Sequence, residues 1–188
     1  MVSRLGQGRK FMIEDALEAA TLVFWLHGYE GASISELTKA MGINPPSLYK
    51  AFGSKEDLFF KVVDHYNQTH GNFMSKIFEE ETDGRALLQR LLLEAADHYP
   101  SDQFPGGCLV ISAAVAVTET NKHVADRLAS MRNDNVKEMA SRDGVTPDMA
   151  RFAAATLQGM SQQARDGASR EDLRTIAKYA ISALDTAL

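Results

Sequence analysis

The stretch ELTKAMGINPPSLYKAFGSKEDLF, residues 36–59, decides how the rest of the chain is read. Its apolar residues Leu37, Met41, Ile43 and Leu48 are spaced for helices. Gly42 and the pair Pro45-Pro46 interrupt them. Working outward, a short helix runs from about Ile34 to Met41. Ser33 is its N-cap, and Glu36 three residues on completes a capping box. Gly42 supplies the left-handed backbone that a tight turn needs. Asn44 caps a second short helix, about Pro45 to Phe52. Pro45 suits its first position, where the missing N–H has no partner in any case, and Pro46 still lies in the first turn. Ser54 then caps a longer helix through Leu58, Val62 and His65 and on to Phe73, with Gly71 weakening that helix without having to end it.

Two short helices across a glycine turn make a helix-turn-helix. Where such a unit binds DNA, the start of the second helix reaches the bases in the major groove. Prolines there offer apolar surface to a thymine methyl group, and Ser47, Tyr49 and Lys50 add polar and cationic groups. The same spacing also fits a plain helical hairpin packed in a core.

The remaining pattern is helical throughout. Ile13, Leu17, Ala20 and Phe24 mark a first helix that should stop near Gly28. Further helices are expected at about residues 84–98, 108–118, 122–142, 147–164 and 170–187. The expectation is an all-α fold of about nine helices, with no strand alternation and no repeats. At 188 residues, 45% hydrophobic and 24% charged, the chain has the composition of a folded globular protein. No apolar run reaches the ~20 residues of a membrane span, and no secretory leader is evident. A single cysteine, Cys108, cannot close an internal disulfide, which suits a cytoplasmic protein. The net charge of −5 does not advertise nucleic-acid binding. In residues 1–60, 6 Lys+Arg stand against 7 Asp+Glu. The cations there are Arg4, Arg9 and Lys10 ahead of the first helix, and Lys39, Lys50 and Lys55 in the opening stretch, so any DNA surface is a local patch.

The run GYEGASISELTKAMGINPPSLYKAFGSKEDLF, residues 28–59, closely resembles the DNA-binding domain of TetR/AcrR-type transcriptional regulators. The matching features are a G-x-x-G-x-S entry, a G-[IV]-x-x-x-x-[LI]-Y-x-x-F recognition segment and S-K-E-D-L after it. Thr38 stands where an alanine is commonest, and the paired prolines depart from the usual Ser/Gly/Thr mix. The resemblance implies a DNA-binding domain over residues 1–58 and an effector-binding and dimerisation domain over residues 59–188. It implies phosphate contacts for Ser33, Tyr49 and Lys55, groove-facing positions for Asn44, Pro45, Pro46, Ser47 and Lys50, and core packing for Phe52. Arg4, Arg9 and Lys10 form either an arm toward the DNA or a solvated terminus.

The same resemblance implies a homodimer built from the last two helices. Ala150, Ala153, Ala154, Ala155 and Gly159, then Leu173, Ile176, Ala177, Ala180 and Leu184, are candidates for that contact or for packing inside the protomer. Phe73, Tyr99, Phe104, Cys108, Met131 and Met160, together with Met74, Phe78 and Leu109, are candidates for an apolar ligand cavity or for plain core. Cys108 follows Gly106-Gly107 at an expected helix start, where unpaired N–H groups lower a thiol's pKa, so a thiol switch competes with an inert buried cysteine. His65, His70, His98 and Cys108 lack metal-ligand spacing. No G-x-S-x-G, P-loop, H-E-x-x-H or Rossmann fingerprint is present, and no cofactor is implied. The expectation is a regulator that binds double-stranded DNA as a dimer, a repressor released by a small-molecule effector. The alternatives are a thiol- or metal-responsive sensor on the same scaffold, and a helical interaction protein without specific DNA binding.

Overall fold

The computed structural model describes residues 4–186, with side chains from Ile13 onward. Arg4, Arg9 and Lys10 lie outside the described side chains. The described residues form ten α-helices, one 3-10 turn and no strand: α1 (Arg4–Gly31), α2 (Ile34–Met41), α3 (Pro45–Phe52), α4 (Lys55–Gln68), α5 (Asn72–Glu80), α6 (Gly84–His98), α7 (Leu109–Ser112), α8 (Lys122–Ala140), α9 (Pro147–Arg165) and α10 (Arg170–Thr186), with the 3-10 turn Glu119–Asn121 before α8. α1 packs on α2 and α4, while α6 packs on α9 and α10, and α8 lies against α9. Phe24, Leu37, Leu48, Phe52, Leu58 and Phe59 fill the space among the first four helices.

The expected count of about nine helices becomes ten because the long helix after Ser54 does not run to Phe73. It ends at Thr69, whose N–H and hydroxyl both turn back to the His65 carbonyl at 3.0 and 2.8 Å. Gly71 donates to the Tyr66 carbonyl at 2.8 Å, and a side chain there would meet the Tyr66 ring at 2.6 Å. The glycine is therefore a packing requirement of the buried Tyr66, and α5 starts afresh beyond it.

The helix expected over residues 108–118 is also shorter, covering only Leu109–Ser112. The polar groups after it are taken by the end of α1. That helix kinks at Gly28 (φ 71°, ψ 176°). Beyond the kink the Tyr29 N–H leaves the helix and donates to the Ala113 carbonyl at 2.6 Å. The carbonyls of Trp25 and Leu26 accept instead from Arg165 at 3.0 and 3.3 Å. Glu30 accepts from the Thr118 N–H (2.6 Å), the Thr118 hydroxyl (2.8 Å) and the Asn121 amide (3.0 Å). His123 at the start of α8 meets Glu56 of α4 at 2.9 Å. Four chain segments distant in sequence are thus joined at one junction.

The junction has a pH signature. Donation from Asn121 and Thr118 holds the Glu30 carboxyl at about 2, below its ordinary 4.5. Its contribution is complete above pH 4.5 and is lost as pH falls toward 2. The hydrogen bond with Glu56 raises the His123 pKa above its ordinary 6.5, so that contribution is complete below pH 6.5 and is lost as pH rises through the raised value. In urea denaturation followed across pH, Glu30→Gln is expected to flatten the acid limb and His123→Gln the neutral-to-alkaline limb. Unchanged limbs would mean that neither group titrates differently on folding.

Candidate nucleic-acid interface and effector cavity

The helix-turn-helix is built by local bonds that its sequence dictates. The Ser33 hydroxyl accepts from the Glu36 N–H at 3.1 Å, and the Glu36 carboxylate accepts from the Ser33 N–H at 2.9 Å. Gly42 adopts φ 66° at the turn. The Asn44 carboxamide oxygen accepts from the Ser47 N–H at 2.9 Å, with Pro45 and Pro46 in the first turn of α3. Ser54 and Asp57 repeat the capping box at the start of α4, at 3.0 and 2.9 Å. Thr38 is buried, and its hydroxyl is satisfied by the Ile34 carbonyl at 2.8 Å. Leu48 and Phe52 of α3 point into the core.

What α3 leaves in solvent is Asn44, Pro45, Pro46, Ser47, Tyr49 and Lys50, and Ser33 is exposed ahead of α2. Tyr49 is 52% exposed, high for an aromatic side chain. Lys55 differs from the rest. It is half-buried, with its ammonium group 4.7 Å from the centre of the Tyr29 ring, a cation–π contact. Burial lowers its pKa while Glu30 and Glu36 hold it up. Lys55 is therefore tied to Tyr29, the residue whose N–H crosses to Ala113.

A second feature is a cavity of about 240 Å³ among α4, α5, α6, α7, α8 and α9. Phe73, Tyr99, Cys108 and Met131 line it, and so do Met74 and Phe78. The other sequence candidates lie elsewhere. Phe104 stacks on Trp25 and meets the His70 ring edge-on, while Met160 and Leu109 are fully buried in the core. Sequence reasoning missed Tyr66, Arg132, Asn135 and Gln158, which also line the cavity. A signal existed for two of them, because Met131, Asn135 and Met139 recur every four residues on α8 with Arg132 beside them.

Cys108 opens α7, but its own N–H donates to the Ser161 hydroxyl at 2.8 Å. Burial pushes its thiol pKa up, outweighing the pull of the Tyr66 hydroxyl and the N–H groups of Ile111 and Val110. The activating helix start expected from the sequence is thus outweighed by burial. The histidines separate as well. His65 and His70 both meet Glu18, at 3.0 and 2.9 Å, whereas His98 stacks on Phe73. Among the described residues no three His, Cys, Asp or Glu side chains converge to hold a metal ion, and no helix is long and apolar enough to cross a membrane.

Most of the small and apolar residues expected at a dimer contact pack within the protomer. Ala150, Ala153, Ala154, Leu173, Ala177, Ala180 and Leu184 are buried there. The outward surface of α9 and α10 carries Ala155 and Gly159 of that set, together with Phe152 and Tyr179, which the sequence did not single out.

Comparison with known proteins gives this geometry a context. Residues 16–62 match the model of the family described as bacterial regulatory proteins, tetR family. Over 187 residues the chain is 31% identical to the HTH-type transcriptional repressor BdcR of Escherichia coli (strain K12), covering 97% of this chain and 94% of that protein. It is also 31% identical over 185 residues to the HTH-type transcriptional repressor ComR of the same organism, covering 92% and 88%. Among solved structures it resembles the TetR family transcriptional regulator CifR, in a cysteine mutant complexed with 26-bp double-strand operator DNA. That likeness has 37% identity and a TM-score of 0.84, covering 90% of this chain and 95% of that one.

The buried thiol makes a direct prediction. At neutral pH iodoacetamide should alkylate Cys108 in the folded protein roughly tenfold or more slowly than in urea, read by mass spectrometry. Equal rates would show an exposed, reactive cysteine.

Proposed function

The chain belongs to the TetR family of bacterial regulatory proteins, and on that premise we propose that it is a homodimeric repressor. In this reading α3 enters the major groove of a palindromic operator, and a small molecule filling the cavity releases the protein. The observation that carries the proposal is the exposed start of α3. Its core face is fixed by Leu48 and Phe52, its first turn is stiffened by two prolines, and its solvent face holds Ser47, Tyr49 and Lys50. Residues 1–58 would read DNA, and residues 59–188 would bind the effector and dimerise. Ser33, Tyr49 and Lys55 are assigned to phosphates, and Asn44, Pro45, Pro46, Ser47 and Lys50 to the groove. The relatives BdcR and ComR are named as repressors, and CifR is complexed with operator DNA, which supports the direction of the assignment.

Two copies are required because successive major grooves lie roughly 34–36 Å apart. A ligand that alters the spacing of two recognition helices weakens DNA binding without touching the DNA surface, and DNA weakens ligand binding by the same factor. The junction at Tyr29, Glu30 and Ala113 is a physical link for such coupling, since α7 lines the cavity at Val110 and Ile111 and ends one residue before Ala113. The raised thiol pKa of Cys108 weighs against a thiolate switch as the trigger.

Selection of bound duplexes from a random library by the purified protein should return a palindrome with half-sites about one helical turn apart. Tyr49→Phe combined with Lys50→Ala should lose affinity for that duplex while remaining dimeric by sedimentation. Recovery of no motif from a folded, ligand-free protein would favour the interaction-protein reading. The dimer has its own check. Phe152 is 43% and Tyr179 75% exposed in the protomer, so Phe152→Asp with Tyr179→Asp should convert a sedimenting dimer to monomer. An intact dimer would place the interface elsewhere.

A further inference from the structure

We propose that the cavity takes a small apolar monocarboxylic acid, bound as its anion, and that Arg132 of α8 is the residue that recognises the carboxylate. The inference deepens the ligand-released reading above and rests on it only for the link to DNA. Its basis is an imbalance between donors and acceptors. Among the described residues Arg132 is the only charged one in the cavity's lining. Among the described residues the hydrogen bond of its guanidinium runs from Nη1 to the Val110 carbonyl at 2.7 Å, a neutral acceptor. Burial lowers its pKa, the mark of a charge held away from water, although an arginine stays charged throughout.

The neighbouring groups repeat the pattern. Tyr99 is 2% exposed, and its hydroxyl has no hydrogen-bond partner among the described residues. The Asn135 amide donates to the Met74 sulfur at 3.3 Å, a weak acceptor that a better one would replace. Tyr99 is buried with its hydroxyl bond unmade, while Arg132 and Asn135 are half-buried, and a group withdrawn from water gains most from a partner of the right chemistry. The remedy for all three is an acceptor, and for Arg132 an anionic one. A neutral carbonyl would satisfy Tyr99 and leave the charge unpaired. A carboxylate offers two oxygens to the planar guanidinium fork and brings one negative charge against one positive charge.

The rest of the ligand follows from the walls. Phe73, Phe78, Leu91, Met131 and Leu157 present apolar surface. The volume of about 240 Å³ exceeds the ~150 Å³ of a cavity that holds benzene. A single ring with a short arm to the carboxylate, or a medium-length acyl chain, fits that space. The carboxylate also competes with the Val110 carbonyl for Arg132. Val110 lies on α7, which ends one residue before Ala113, the acceptor of the Tyr29 N–H, so binding acts on the element that reaches the DNA-reading helices.

The test uses the full-length protein, titrated calorimetrically with benzoate, phenylacetate, 3-phenylpropionate, hexanoate and octanoate, each beside its primary amide. At least one acid is expected to bind with Kd below about 1 mM and roughly 10- to 100-fold tighter than its amide. Arg132→Gln should erase that preference while leaving amide binding in place, which also shows that the variant is folded. Tyr99→Phe should weaken acid and amide alike. Equal affinity for acid and amide, acid binding unchanged in Arg132→Gln, or no Arg132-dependent binding by any acid overturns the proposal. Fluorescence anisotropy of the selected duplex separates the two readings. Arg132-dependent acid binding without DNA release keeps the acid site and removes ligand-released repression. Release by an amide but by no acid keeps ligand-released repression and removes the acid site.

Discussion

The backbone exchange at Gly28 is the constraint on which the rest of the molecule depends. In an unbroken helix the Tyr29 N–H would return to the Trp25 carbonyl. Here it crosses to Ala113, and the Trp25 carbonyl accepts from Arg165 of α9. Only glycine permits this, for two reasons. The residue sits at φ 71°, and a side chain on it would approach the Ala113 carbonyl oxygen to 3.0 Å. Tyr29 is then placed beside Phe24 and Phe59, with Lys55 above its ring. The position of the α4 start thus depends on a hydrogen bond made from the bundle, and Glu30 repeats the attachment one residue on.

The cavity and this junction share α7, an element too short to hold its position by its own helical bonds. Four residues close very few i→i−4 bonds, so α7 is held by what touches it. Arg132 grips Val110, Tyr29 grips Ala113, and Ser161 grips Cys108. An element fixed at three points by three different helices reports on all of them. That is the requirement for energetic coupling between distant sites, one element whose arrangement both sites bias.

How much of this was legible in the sequence follows from the range of the interactions. The capping box at Ser33, the caps at Asn44 and Ser54 and the Gly42 turn are bonds across three or four residues, and the residue types alone name them. The end of α4 was not legible, because Gly71 is needed by the Tyr66 ring, and tolerance of a glycine in a helix looks the same in sequence as a requirement for it. Shortening of the helix after Cys108 was hidden for a related reason, since its competitor for hydrogen bonds is the end of α1, more than eighty residues away. Ala150, Ala153 and Ala154 show the limit of a composition argument. Small residues allow close approach of helices, but they do not say whether the neighbour is in the same protomer. Arg132 was passed over because a charge within SMRNDN reads as solvated until its neighbours are known.

The face of α3 has a consequence in counterions. Pro45 and Pro46 carry no N–H to offer a phosphate, and the exposed cations on α2 and α3 are Lys39 and Lys50, with Lys55 partly covered. Each phosphate neutralised on binding releases condensed cations and steepens the dependence of log K on log salt by about 0.9. With so few cations on these described helices, on a chain of net charge −5, the affinity that a DNA backbone lends this face is small. On the proposed face discrimination then falls to shape and to the apolar surface of the two prolines.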